Sequence, residues 1–86
     1  MSEYHLITPY DPAKQAWEPT QVHEGNPLPR VREILGGRWT RSSGMLKDDM
    51  AAAFWNAGNG RRVFVIALPV GLPKDAAERV ALAVSL

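Results

Sequence analysis

The continuous apolar stretch Val63-Phe64-Val65-Ile66-Ala67-Leu68 is rich in β-branched residues and shows none of the alternation of a half-exposed strand. That pattern predicts a central strand covered on both faces. Pro69 cannot donate to a ladder and should end it. Tyr4-His5-Leu6-Ile7-Thr8 is a second β-prone run bounded by Pro9, and predicts a first strand over 4–8.

Helical spacing recurs further along. After Pro29, Val31, Ile34 and Leu35 share one face of a short helix that Gly36-Gly37 ends. Leu46, Met50, Ala53, Phe54 and Ala57 form a longer apolar stripe and predict a helix over Met45–Ala57. Ser42-Ser43 would cap that helix, Asp48 and Asp49 would sit at its positive end, and Gly58 would take the left-handed position after it. The tail from Pro73 to Leu86 carries two patterns. Pro73 at a first helical position, the pairs Lys74/Glu78 and Asp75/Arg79 and a run of alanines favour helix, the preferred reading. Alternation of Val80, Leu82, Val84 and Leu86 favours a strand over 80–86, and a helical turn leading into a strand would reconcile the two.

Between Pro9 and Pro29 the chain holds five prolines, Gly25-Asn26 and no sustained apolar period. Asp11-Pro12 can start one helical turn, and Trp17 and Val22 can pin the rest, so this segment reads as an irregular arm wrapped on the core. The expected architecture is α+β in a single domain spanning 1–86. A short mixed or antiparallel sheet of about three strands is packed by two to three helices, with a Pro-rich N-terminal arm within 1–29.

Composition narrows the functional classes. The chain has 86 residues, 45% apolar and 22% charged, which suits one soluble domain able to bury about 63% of its unfolded surface. The absence of cysteine excludes disulfide scaffolds, thiol catalysis and cysteine-ligated metals. With no basic-then-apolar leader and no apolar run near the ~20 residues of a membrane span, a cytoplasmic protein is expected. The net charge of +1 hides an asymmetry: residues 1–29 carry one basic against four acidic groups, and residues 30–62 carry seven basic against three acidic. Six of those seven cations are arginine, the residue suited to bidentate and stacked recognition. The bland alternative is that the acidic leading segment folds across the basic middle and neutralises it.

No catalytic set emerges. His5 and His23 are the only histidines, Ser42 and Ser43 lack a nucleophile-elbow frame, and Asp48 and Asp49, adjacent on the expected helix, would diverge. A zinc site from His5, His23 and Glu24 or Asp11 would require the arm to fold back on the first strand, and neither a metal nor a cofactor is expected. Gly58-Asn59-Gly60-Arg61-Arg62 could cradle an anion, but it leaves a helix and enters a strand, the reverse of a phosphate loop, so a capped turn explains it better. Arg38-Trp39-Thr40-Arg41 is the most informative stretch, an aromatic between two cations. Trp55, off the centre of the helical stripe, adds a second indole; the bland alternatives are that Trp39 is core with its arginines reaching solvent, and that the Pro-rich arm covers Trp55. The leading expectation is therefore a non-enzymatic adaptor or inhibitor, of the size carried by phages and mobile elements. It would bind a larger protein or complex through Arg38, Trp39, Arg41, Lys47, Trp55, Arg61 and Arg62. The alternatives are a nucleic-acid-binding protein using the same basic segment, and a small enzyme with a site formed at an interface.

Overall fold

The computed structural model of the protein describes residues 3–36, 39–45 and 51–84; for 39–45, 51–54 and Val84 it is the backbone that is described. The strand expected at the centre is there. Counting strands in chain order, Arg62–Ala67 forms β6, bonded on one side to β1 (Tyr4–Asp11) and on the other to β5 (Ala51–Ala57). Beyond β5 lies β4 (Trp39–Met45); beyond β1 lie β2 (Ala16–Trp17) and β3 (Gln21–Glu24), end to end along one edge. Every pairing in this six-stranded sheet is antiparallel.

Alternation along β1 and β6 divides the core into two layers, one on each side of the sheet. Ile7, Val63, Val65 and Trp55 face α1 (Leu28–Leu35) and pack with Val31 and Leu35. Tyr4, Leu6, Ile66 and Leu68 face α2 (Lys74–Val84) and pack with Ala77 and Ala81. A strand apolar at every position has thus found a helix for each face. α1 ends at Gly36, whose φ of 74° admits the left-handed cap and whose N–H returns to the Arg32 carbonyl. In α2 the buried contacts are alanines, which lets the helix axis lie close to the sheet. The tail is therefore helical as far as it is described, to Val84, with the pairs Lys74–Glu78 (4.0 Å) and Arg79–Asp75 (3.3 Å) on its outer side.

The supposed helix over Met45–Ala57 is not one: Met45 ends β4, 51–57 is β5, and Asp48 and Asp49 lie outside the described residues. The reason is tertiary. Without β5, one whole edge of β6 would leave its backbone donors and acceptors unpaired beside the core, which costs more than the weak helical preference of three alanines gains. Trp55 pairs with Val63, so the ring expected at the rim of a helix enters the core and is only 3% exposed.

The Pro-rich arm is also corrected, because 16–17 and 21–24 are edge strands, and β1 runs through Pro9 to Asp11. Pro9 is accommodated because its nitrogen faces away from β6, toward the break between β2 and β3, where its carbonyl accepts from the Glu18 N–H at 2.8 Å. The sheet has twice the expected strands and two helices among the described residues. No helix among them is long and apolar enough to cross a membrane.

Trp55→Ala should cost about 3–5 kcal/mol by emptying the α1 layer. Leu82→Ala, at a position 79% exposed, should shift stability by no more than about 0.5 kcal/mol. Urea titration of both variants checks the pair, and a Trp55→Ala midpoint equal to wild type would place the indole outside the core.

Candidate functional site

Cross-strand register lines up one row over the whole sheet. Trp17 on β2 pairs with Tyr10 on β1, Tyr10 with Arg62 on β6, Arg62 with Asn56 on β5, and Asn56 with Thr40 on β4. Directly paired residues share a face, so this row lies on the α2 side. α2 packs over the opposite end of that face, on Tyr4, Leu6, Ile66 and Leu68. Between the two ends Thr8 is buried, its Oγ1 2.8 Å from Oγ1 of Thr20, a bond that fastens β1 to the segment joining β2 and β3.

At the open end the rings of Tyr10 and Trp17 meet edge to face, with centroids 5.2 Å apart and an interplanar angle of 67°. The Arg62 guanidinium carbon lies 5.2 Å from the Tyr10 centroid, within cation–π range. Both rings are half-buried and Arg62 is exposed. Asp11 starts the connecting turn, its Oδ1 accepting from the Ala13 N–H at 2.9 Å and the Lys14 N–H at 3.4 Å, which holds β2 against β1.

Of the residues expected to form one Arg/Trp surface, the three with described side chains, Trp55, Arg61 and Arg62, do not share one face. Trp55 lies buried on the other face under α1. Arg61 is exposed but engaged, its Nη1 donating to the Ile34 carbonyl at 3.3 Å while Asn59 Nδ2 donates to the Leu35 carbonyl at 3.0 Å. These two side chains satisfy carbonyls at the C-terminus of α1, and the guanidinium lies at the negative end of its dipole. The stretch suspected of cradling an anion is therefore a hairpin turn that caps a helix. Gly60, at φ 86°, supplies its left-handed residue, and a Cβ there would stand 3.3 Å from Pro12. Arg38 and Lys47 lie outside the described residues. Trp39 and Arg41 are placed by backbone in β4, in register with Ala57 and Trp55, not in the Arg62 row.

Of the expected contact residues with described side chains, Arg62 alone stands exposed among aromatics, and Tyr10 and Trp17 were not foreseen. The signal available for them was two aromatics flanking an Asp-Pro turn. The ion pairs among the described residues, Arg30–Glu33 included, each lie within one helix, and among these residues none joins the leading segment to the basic middle.

His5 and His23 are direct cross-strand partners on the α1 side of the sheet. Burial pushes the His5 pKa down and the nearby His23 adds to this, against Glu3 and the Gly25 backbone, which favour the charged form. His23 Nε2 hydrogen-bonds the Asn26 carbonyl at 2.9 Å. Among the described residues no three His, Asp or Glu side chains converge on a metal position. A shallow groove of about 300 Å³ lies between β3 and α2, lined by Thr20, Val22, Glu78, Ala81 and Leu82, with Glu78 its one titratable group.

No family model, curated protein or solved structure matches the chain. Its function must be sought in its own geometry.

Asn59→Ala should lower stability by about 1 kcal/mol through the uncovered Leu35 carbonyl, read as a drop in urea midpoint with an unchanged slope. A depressed His5 pKa means the unfolded chain binds the proton more readily. Stability is therefore full above the unfolded value of 6.5 and falls as pH drops toward the folded pKa. Urea midpoints at about pH 7.5 and 5.5 should differ less in His5→Gln than in wild type; equal differences would remove His5 as the source.

Proposed function

We propose that this protein is a non-enzymatic interaction module, an adaptor or inhibitor that binds a larger protein through the Trp17–Tyr10–Arg62 end of its sheet. The observation that carries the reading is the edge-to-face ring pair with an exposed guanidinium over Tyr10, on a part of the sheet face that the α2 core does not include. Tyrosine, tryptophan and arginine are the types that dominate binding energy at protein interfaces. Their preorganisation here matters as much as their identity. Held by a hairpin, an edge-to-face contact and a cation–π contact, these groups lose little further conformational freedom on binding.

Nucleic acid is the less favoured partner. A sheet bearing aromatics and a cation can stack bases, but along this row Arg62 is the one cation, whereas a phosphate backbone is held by several. A protein partner requires no such charge.

The test compares immobilised wild-type chain with Arg62→Glu. Proteins captured by wild type should be lost or weakened about tenfold or more, while the exposed position leaves the thermal midpoint within about 2 °C. An unchanged captured set would refute the row as the contact surface. Oligonucleotide binding at about 50 mM salt that collapses by 200 mM would replace the protein partner with nucleic acid.

A further inference from the structure

The two edges of the sheet are built differently. One is guarded: β2 has two residues, β3 has four, and the break between them contains Pro19. The other is β4, seven residues long, without proline and with Arg41 as its one charged residue. Short strands, prolines and charges are the usual protection against edge-to-edge pairing, and β4 has almost none of it.

The ladder shows which groups β4 presents. The Ala57 N–H donates to the Arg61 carbonyl at 2.9 Å, so Ala57, Trp55 and Ala53 direct their backbone groups to β6. Asn56, Phe54 and Ala52 then direct theirs to β4, where their register partners are Thr40, Ser42 and Gly44. That leaves the N–H and C=O groups of Trp39, Arg41, Ser43 and Met45 pointing away from the sheet, with no strand beyond them among the described residues.

We infer that β4 pairs antiparallel with β4 of a second copy of this chain about a twofold axis at Ser42, joining two sheets into one. Charge and register together select this occupant and this alignment. Centring on Ser42 is the register that pairs all seven residues, and in it Arg41 stands opposite Ser43 of the other copy. A centre at Arg41 would oppose like charges. The four outward-facing residues of each strand meet one another in hydrogen-bonded register, Arg41 with Ser43 and Trp39 with Met45, for about eight interchain bonds. The interface is isologous and closes at two copies, so the open edge is used up without fibre growth. This inference is independent of the proposed contact row, which lies on a face and not on an edge.

The test uses the full chain and its lack of cysteine. Light scattering at about 100 μM should give twice the chain mass of 9.5 kDa. Ser42→Cys should oxidise to a covalent dimer, because opposed non-bonded residues lie about 4.5 Å apart between Cα atoms, within disulfide reach. Thr40→Cys should not, because the two Thr40 positions are offset by about 13 Å along the strands. Ser43→Pro removes an outward N–H while leaving the β4–β5 ladder intact, and should yield a folded monomer. Monomeric wild type at that concentration overturns the inference, as does Thr40→Cys crosslinking as readily as Ser42→Cys. The cysteine pair decides the question even if the proline variant does not fold.

Discussion

A strand with no polar face cannot lie at a surface, and the rest of this molecule follows from providing for β6. Its side chains require cover on both faces, and its backbone requires a neighbour along each edge. The chain answers with α1 and α2 on opposite sides, β1 on one flank and β5 on the other. Each helix is short, eight and eleven residues, and neither would be stable alone. Their stability comes from the two apolar layers that β1 and β6 share.

The same constraint explains how two adjacent arginines come to do different things. Arg61 leaves the hairpin turn on the α1 side and closes the exposed end of that helix; Arg62, one residue on, alternates to the other face and lies over Tyr10. The first arginine serves the fold and the second offers a surface. A basic dipeptide read as one patch is thereby two sites on opposite sides of a sheet.

Much of the architecture was legible in local pattern. The apolar run at 63–68 and the short helix ended by Gly36 each carried a signal strong enough to stand without tertiary information, while the tail held a helical and a strand pattern at once and packing on the sheet chose the helix. The hairpin over 39–57 did not. Ala53, Phe54 and Ala57 fit a helical stripe, and the alanines favour it intrinsically, whereas the need for a second neighbour of β6 is invisible to any window confined to the segment. One local cue points the other way: Asn59-Gly60 between two apolar runs is a strong hairpin signal, although glycine after an apolar stripe equally fits a helix cap. The aromatic–arginine row was hidden for a related reason, since Trp17, Tyr10 and Arg62 become neighbours only through strand register. The edge strands β2 and β3 were obscured by proline density, which argues against an interior strand but not against an edge.

Face and edge also combine. A twofold axis normal to the sheet keeps like faces together, so a pair of chains joined through β4 would display both Arg62 rows on one continuous surface. Five strand spacings and an offset of about four residues separate the two guanidinium positions, roughly 25–30 Å. A partner that is itself symmetric, or carries two copies of one epitope at that span, would then be held at both rows at once, the second contact being intramolecular. Modest affinity at each small row would suffice. Edge pairing would in this way compensate for the limited surface that a chain of 86 residues can offer.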